Sequence, residues 1–251
     1  MKEIRVLIAG ESWIIVTTEI KGFDQFTTSG YEEGVGWLQN ALDASGIRVD
    51  FLPNHLASTK FPSELESLKS YDVIILSDIG SNTLLLHPDT FIHSKPTPNR
   101  LDLLEVYVKE GGGFLMIGGY MSFTGFAGKA KYKGTSIEKT MPVSLISEDD
   151  RVEVPQGFSP LICKPEHPIL KNISGPWPIL LGYNRVCLKP NASLILSHDG
   201  DPISAVWEYN QGRSGVFTSD CAPHWGSPEF VSWAGYKTFF SQLVRWLAKE
   251  G

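Results

Sequence analysis

Short continuous runs of hydrophobic residues recur through the first half of the chain. They occupy residues 4–9, 48–52, 71–78 and 114–117. Runs with so few polar interruptions are typical of strands that are buried on both faces of a parallel sheet. We therefore predict four strands at these positions.

Helical spacing of apolar residues fills the intervals between these strands. It predicts helices over residues 31–45, 62–70 and 101–110, and an amphipathic helix over residues 236–249 closes the chain. Strands that alternate with helices in this way predict an α/β fold, with a mostly parallel sheet covered by helices on both faces. Residues 11–29 have no clear helical or strand period, so we expect a long loop after the first strand.

The C-terminal half follows a different pattern, with short strands separated by turn residues. Such strands are predicted at residues 142–146, 151–154, 183–188, 193–197, 203–209 and 214–219. Those over residues 183–209 suggest an antiparallel run. We therefore predict one domain over residues 1–251, with an antiparallel β extension at about residues 140–210.

Composition and charge exclude some classes of partner for this protein. The chain has 251 residues, a net charge of −6, and no basic cluster longer than residues 129–133. A nucleic-acid surface needs a concentrated basic footprint, so we expect no nucleic-acid partner. No apolar run approaches the ~18 residues needed to span a bilayer, and residues 1–10 lack the apolar core of a signal peptide. We therefore expect a cytoplasmic protein with no membrane partner.

Cysteine and histidine spacings argue against a metal or cofactor site. Cys163, Cys187 and Cys221 are widely spaced, and Cys221 with His224 forms only one pair of the three or four ligands that zinc needs. No glycine fingerprint for a dinucleotide follows a predicted strand. We expect reduced thiols, no metal and no cofactor.

Polar residues follow several predicted strands, where open parallel sheets bind their ligands. Candidate groups lie after the first, third, fourth and last strands. They are Glu11 and Ser12; Ser77, Asp78, Ser81 and Asn82; Tyr120 and Ser122; and Asp220, His224 and Trp225. From these we predict catalytic roles for His224, Asp220 and Tyr120. Ligand contacts are predicted for Ser12, Asp78, Asn82, Ser122 and Trp225.

The segment from Asp220 to Trp225 is the best source of a general base. His224 could be oriented by Asp220 or by Glu229, or its ring could merely cap backbone groups beside Trp225. Tyr120 follows Gly118 and Gly119, at the exposed tip of a sharp turn after the fourth strand. A phenol is a poor nucleophile at neutral pH, so hydrogen bonding or ring stacking is its more plausible role.

Three segments together resemble a bacterial family described as "putative glutamine amidotransferase", of the class I glutamine amidotransferase-like superfamily. They are residues 71–80, 112–123 and 212–225, and the resemblance covers nearly the whole chain. The family is similar to trehalose-utilisation-like and β-galactosidase trimerisation domains. The resemblance implies a flavodoxin-like, doubly wound sheet.

The same resemblance implies where the chemistry of the superfamily would lie. In working amidotransferases a cysteine in a G-x-C-x-G turn attacks the glutamine amide, and a histidine oriented by a glutamate serves as base. Residues 118–122 keep the first glycine but carry Tyr120 in place of the cysteine and Ser122 in place of the last glycine. No His-x-Glu sequence follows a late strand, so cysteine-dependent glutaminase activity is not expected.

Three interpretations of function stay open. The first is an amidotransferase-like hydrolase or lyase with a pocket built from Asp78, Tyr120, Asp220 and His224, which acts on a small polar substrate such as a sugar or an amide. The second is a non-catalytic protein that binds a metabolite through Asp78, Tyr120 and Trp225. The third is a structural subunit of a homo-oligomer with residues 183–209 at its interface.

Overall fold

The computed structural model describes residues 3–250. Its strands are β1 (Arg5–Gly10), β2 (Ser12–Lys21), β3 (Asp24–Glu33), β4 (Arg48–Leu52), β5 (Val73–Ser77), β6 (Gly113–Ile117), β7 (Val143–Leu145), β8 (Arg151–Phe158), β9 (Leu161–Ile162), β10 (Leu180–Asn184), β11 (Val186–Leu188), β12 (Ser193–His198), β13 (Asp201–Tyr209) and β14 (Gly212–Phe217). Eight of them form one sheet in the order β4-β1-β5-β6-β14-β13-β12-β9. The first five strands in that order run parallel to one another, and the last three are antiparallel to their neighbours.

Helices cover both faces of this sheet. They are α1 (Gly36–Asp43), α2 (Asn54–Lys60), α3 (Leu65–Leu68), α4 (Ser81–Leu85), α5 (Pro88–Phe91), α6 (Arg100–Lys109), α7 (Ser136–Thr140), α8 (Pro228–Ser232) and α9 (Ala234–Leu247). Alternate residues of β1 divide between two cores, with Val6 and Ile8 in one and Leu7 and Ala9 in the other. Helices α1 and α9 pack in the first core, and α2, α3, α4 and α6 pack in the second. The prediction of a doubly wound α/β sheet with antiparallel strands in the C-terminal half is confirmed.

Residues 11–29, which the sequence predicts to be a loop, instead form a long hairpin. Strands β2 and β3 pair antiparallel along their full length, and β3 continues to Glu33. The helix predicted over residues 31–45 therefore begins later, at Gly36. Almost every residue of the hairpin is exposed on both faces, so no alternation of buried and exposed positions marks it as a strand pair.

The predicted antiparallel run over residues 183–209 is also corrected in part. Strands β12 and β13 pair with each other as expected. Residues 183–188 do not join them, because β10 pairs with β8 and β11 pairs with β7. The β8–β10 pair places residues 151–158 and 180–184 at the carboxyl end of the central strands, where Asn184 binds Gly119 and Glu153 binds Trp225. In the part of the chain described here, no helix is both long and apolar enough to cross a membrane.

Candidate functional site

A cavity lies at the carboxyl ends of β1, β5, β6 and β14, which are neighbours near the centre of the sheet. Its volume is about 340 Å³. The lining residues are Glu11, Trp13, Asp78, Tyr120, Asp220, Ala222, Pro223 and His224. Three carboxyl groups, one imidazole and four apolar or aromatic side chains therefore converge from segments that are distant in sequence, as expected for a ligand site of an open parallel sheet.

Glu11 is the most deeply buried of the three acids. The preceding Gly10 lies so close to β5 that a Cβ atom there would stand 1.7 Å from the Ser77 carbonyl oxygen, and its φ is +121°. Glu11 itself adopts φ 45°, a left-handed conformation that is rare for residues other than glycine. The Ser77 hydroxyl donates to its Oε1 at 2.5 Å. Burial, with the nearby charges of Asp220 and Asp78, raises the pKa of the Glu11 carboxyl well above its usual range.

Asp78 follows β5 and has the same left-handed φ of 45°. Its Oδ1 accepts the backbone N–H of Met121 at 2.6 Å, and its own N–H donates to the Ser122 Oγ at 3.0 Å. Burial is the main reason that the pKa of Asp78 rises to about 6. Two adjacent strands thus each end in a strained acidic residue, and such strain is concentrated at functional sites.

Asp220 and His224 form a close carboxylate–imidazole pair after β14. Asp220 is 6% exposed, and its Oδ1 accepts the backbone N–H of Ala222. Its Oδ2 lies 3.4 Å from the His224 Nδ1, so Asp220 rather than Glu229 orients the imidazole. The bond to Asp220 raises the pKa of His224. Such a pair can hold and transfer a proton near neutral pH.

The Tyr120 ring forms one wall of the cavity, and a hydrogen bond from its hydroxyl group fixes its position. The phenol donates to the Glu153 Oε1 at 2.9 Å, and the Trp225 indole donates to the other oxygen of the same carboxylate, also at 2.9 Å. The Arg151 guanidinium stacks 4.7 Å from the Tyr120 ring centre, and His224 meets the ring edge to face. Tyr120 is therefore half-buried, not the exposed tip that the sequence predicts. Burial and the Glu153 bond raise its pKa, which makes the phenol a still weaker nucleophile.

The turn after β6 differs from a nucleophile elbow. Its left-handed residue is Gly119, with φ 147°, and the described residues 118–135 contain no α-helix. The N–H of Gly118 donates to the Phe217 and Ser219 carbonyls, and that of Gly119 to the Asn184 Oδ1. In an elbow, the N–H of the residue after the nucleophile helps to bind the oxyanion. Here that group is the Met121 N–H, which already donates to the Asp78 carboxylate.

Cys221 is buried beneath the cavity floor. Its sulfur, one oxygen of Glu11 and one oxygen of Asp220 all lie within 4.8 Å of one another, so these are the residues that could hold a cation. Burial, then the charges of Glu11 and Asp220, raise the pKa of the Cys221 thiol well above its ordinary value. Metal ligands must be deprotonated, and raised pKa values at Glu11 and Cys221 favour protonated groups instead.

The fold and this site can now be compared with known proteins. The chain matches the model of the family described as "Putative glutamine amidotransferase" over residues 5–249. The chain belongs to this amidotransferase family. No curated protein matches it.

Two solved structures from Salmonella typhimurium are similar over almost their full length. Cytoplasmic Protein STM3548 is 43% identical, with 96% of this chain and 98% of that chain covered and a TM-score of 0.93. Cytoplasmic Protein STM1381, from strain LT2, is 45% identical, with 97% and 99% covered and the same TM-score of 0.93. A ThuA-like protein from Parabacteroides merdae is only 11% identical, with 99% and 91% covered and a TM-score of 0.57, and so shares the fold.

In this member of the family, the other predicted ligand contacts lie around the cavity but do not line it. Ser12 lines a neighbouring cleft, and its Oγ accepts the Asn54 N–H. The Ser122 hydroxyl is used below Asp78, where it donates to the Ile117 carbonyl. Trp225 is buried behind His224, and its indole is bonded to Glu153. Asn82 is exposed on α4, away from the lining residues.

Several residues of the site were not selected from the sequence. Glu11 follows β1 and was noted as a strand-end group, but Ser12 was preferred as the ligand contact. The signal that favours Glu11 is the preceding Gly10, because glycine at a strand end allows close approach to the next strand. Trp13 and Glu153 carry no local signal, since the hairpin and the β8–β10 pair that position them depend on tertiary contacts.

Proposed function

We propose that the cavity binds a small polar metabolite and that the protein lacks cysteine-dependent glutaminase activity. The convergence of Glu11, Asp78 and Asp220 on one cavity of about 340 Å³ carries this proposal. Carboxyl groups offer hydrogen-bond acceptors, so the ligand needs several donors, either hydroxyl or amine groups. Trp13, Tyr120 and Pro223 add apolar walls that suit the carbon skeleton of such a molecule. A sugar, a polyol or a small amine has this combination.

Two features support the absence of thiol chemistry. Cys221, the thiol nearest to the cavity, is fully buried with a raised pKa, whereas a nucleophilic cysteine needs a thiolate that reaches the substrate. The carboxylate of Asp78 already accepts the Met121 N–H that would stabilise an oxyanion. An oxyanion formed there would meet a negative or hydrogen-bonded carboxyl group, which opposes its stabilisation.

A second candidate function is acid–base catalysis on the bound metabolite. The observation that favours it is the Asp220–His224 pair, 3.4 Å apart at the cavity wall, with the carboxylate buried and the imidazole 41% exposed. A histidine held in this way can accept a proton from a bound hydroxyl or amine, or return one. We also expect the protein in the cytoplasm, because the two similar Salmonella proteins are named as cytoplasmic. We expect neither nucleic acid nor membrane as a partner.

Ligand-induced stabilisation tests the binding function. The melting temperature of the purified protein would be measured with D-glucose, trehalose, myo-inositol, putrescine and L-glutamine, beside an Asp220→Asn variant. A ligand that binds only the native state raises its melting temperature, and the rise increases with the logarithm of ligand concentration above the dissociation constant. We expect stabilisation by at least one hydroxyl- or amine-rich compound, and its loss in Asp220→Asn. If no compound of either kind stabilises the wild type, the proposal fails.

Two further measurements separate binding from catalysis. Ammonia release from L-glutamine would be followed for the wild type and for Cys221→Ala, and we expect none from either. Release by the wild type alone would show that the thiol acts and would overturn the proposal. Any stabilising ligand would then be tested for turnover, and loss of turnover with retained binding in His224→Gln would establish the acid–base function.

A further inference from the structure

The hairpin of β2 and β3, called the ribbon below, is the part of the molecule with the most unusual exposure. It consists of Ser12–Lys21 and Asp24–Glu33, joined by a turn at Gly22 and Phe23. Every residue from 13 to 33 is exposed, and Phe23 is completely so, with 110% relative accessibility. An isolated two-stranded hairpin is marginally stable in water, so this ribbon needs a surface to cover it.

The two faces of the ribbon differ in charge. Cross-strand pairing places Ile14 opposite Tyr31, Val16 opposite Ser29, Thr18 opposite Thr27 and Ile20 opposite Gln25. None of these eight side chains is charged, and we call them the uncharged face; the base of the same face carries Glu33, which accepts the Tyr31 hydroxyl. The other face carries Glu19, Lys21, Asp24 and Glu32. Ile14, Val16 and Ile20 are 59%, 64% and 71% exposed, so the uncharged face presents its apolar side chains to solvent.

We propose that the uncharged face of the ribbon is a self-association surface, covered by the same face of a second copy of this chain. A twofold-symmetric contact uses the same surface patch on both copies, so a face with an excess of acidic residues would meet another acidic face. The uncharged face avoids this repulsion in a chain whose net charge is −6. The β-branched side chains of Ile14, Val16, Thr18 and Ile20 suit packing of one sheet face on another.

The exposed area is sufficient for a stable contact. The eight residues of the uncharged face are all exposed, and the large ones among them, Ile14, Val16, Ile20 and Tyr31, are 59%, 64%, 71% and 46% exposed. Together the eight side chains present on the order of 700 Å² of accessible surface. A standard protein–protein interface buries about 800 Å² on each partner. In the described residues 3–250, neither outer edge of the ribbon pairs with another strand, so its backbone is also free to extend the contact.

Charge on the rest of the ribbon favours a protein partner over a lipid surface. Beyond the uncharged face, Glu19, Asp24, Glu32 and Glu33 outnumber Lys21. Membrane-surface hairpins and helices gain affinity from basic residues that meet anionic headgroups. An acidic ribbon lacks this attraction.

Sedimentation velocity of the full chain from 1 to 100 µM tests the proposal. We expect a dimer in the wild type. Ile14→Lys/Val16→Lys places two charges on the uncharged face, and we expect at least a tenfold rise in the dimer dissociation constant. The matched control Ile15→Lys/Thr17→Lys adds the same charge at the same spacing, one residue along β2 and on the other face. We expect it to change the constant less than threefold.

Three results would overturn the proposal. One is a wild type that stays monomeric at 100 µM, and another is equal sensitivity of the dimer to both lysine pairs. The third is a monomer that sediments with phosphatidylcholine/phosphatidylserine vesicles, which would assign the face to a membrane. Because the ribbon contributes little to the core, replacement of residues 14–31 by a short glycine-rich turn supplies a second variant. It should melt as a folded protein and remain monomeric.

Discussion

The turn after β6 and the segment after β14 follow neighbouring parallel strands, yet they use their polar groups in opposite ways. In the first, the N–H groups of Gly118, Gly119 and Met121 all have partners within the protein. In the second, Asp220 and His224 line the cavity, and only part of their hydrogen-bonding capacity is used internally. The first segment holds neighbouring loops in place, and the second is part of the candidate site.

The two segments show that the position of a turn in the fold and the chemistry of its residues can differ. In this family the turn after β6 is the place where amidotransferases of the superfamily would carry a nucleophile, and here the same turn fixes neighbouring loops. Tyr120 binds Glu153, and Asn184 binds both the N–H and the carbonyl of Gly119. The carboxyl and imidazole groups that line the cavity and have raised pKa values lie instead at the ends of β1, β5 and β14. Position in a fold thus predicts the place of a site better than the residue that acts there.

Removal of the Asp150 carboxylate, which holds the turn after β6, should have the largest effect on stability. Asp150 is 1% exposed and accepts the N–H groups of Thr124 and Gly125 and the side-chain amide of Asn184. Asp150→Ala leaves the two backbone donors buried without an acceptor, and the Asn184 amide keeps only the Gly119 carbonyl. We expect the free energy of unfolding to fall by about 3–5 kcal/mol, measured by urea denaturation.

The adjacent Asp149 provides a matched control. It is exposed and pairs with Arg151 at 2.8 Å. Asp149→Ala should lower the free energy of unfolding by less than about 1 kcal/mol, because exposed ion pairs contribute little. Equal losses in the two variants would mean that the turn after β6 is not locked, and the contrast between the two segments would disappear.

Neutralisation of Asp78 should change how stability depends on pH. The pKa of Asp78 rises to about 6 in the folded protein, above its ordinary value of 3.8. The protonated form therefore stabilises the fold fully below about pH 4, and this contribution is lost as pH rises through 6. In Asp78→Asn the amide does not ionise and its oxygen can still accept the Met121 N–H. From pH 4 to 7 the free energy of unfolding should rise in the variant, relative to the wild type, by up to about 3 kcal/mol.

Urea denaturation at intervals of half a pH unit measures this difference. Asp43→Asn is a suitable control, since Asp43 is exposed at the end of α1. Its curve should follow that of the wild type. If the free energy of unfolding of Asp78→Asn also follows that of the wild type from pH 4 to 7, the fold does not raise the pKa of Asp78.

The fold was predictable because its central strands are buried on both faces. Residues 73–77 and 113–117 are fully buried, and this environment demands the continuous apolar runs that the sequence shows. The sequence did not predict the ribbon, and the reason is the opposite one. Beyond its base, where Trp13 lines the cavity and Tyr31 meets the His55 ring, neither face of the ribbon packs on the body of the molecule. Its sequence therefore carries no period-two alternation, and only its threonine and isoleucine content is typical of strands.

The candidate site was predictable in its location but not in its details. Asp78, Tyr120, Asp220 and His224 follow buried strands, and the parallel arrangement brings them to one edge of the sheet. The role of Glu11 depends on the close approach of Gly10 to Ser77, a tertiary contact. The partner of Tyr120 is Glu153, 33 residues away on a strand outside the central sheet. Local patterns contain no information on such contacts.

The pKa of His224 depends on Asp220, the carboxylate beside it. The bond to Asp220 raises the pKa of His224 above its ordinary value of 6.5. In Asp220→Asn the charge and the strong acceptor are both lost, so the pKa of His224 should fall. Titration of the imidazole carbon protons by NMR measures it, with the exposed His93 as an internal reference. A pKa of His224 that is unchanged in Asp220→Asn would break the pair on which the acid–base function rests.

The smallest effect is expected for the phenol that occupies the nucleophile position. Tyr120→Phe removes the hydrogen bond to Glu153, whose carboxylate still accepts the Trp225 indole at 2.9 Å and remains near solvent. Because the ring and its contacts with His224 and Arg151 are retained, the free energy of unfolding should fall by only about 0.5–1.5 kcal/mol. Ligand-induced stabilisation should be unchanged. Loss of ligand binding or turnover in Tyr120→Phe, with stability intact, would mean that the hydroxyl acts on the ligand and that the turn after β6 belongs to the site after all.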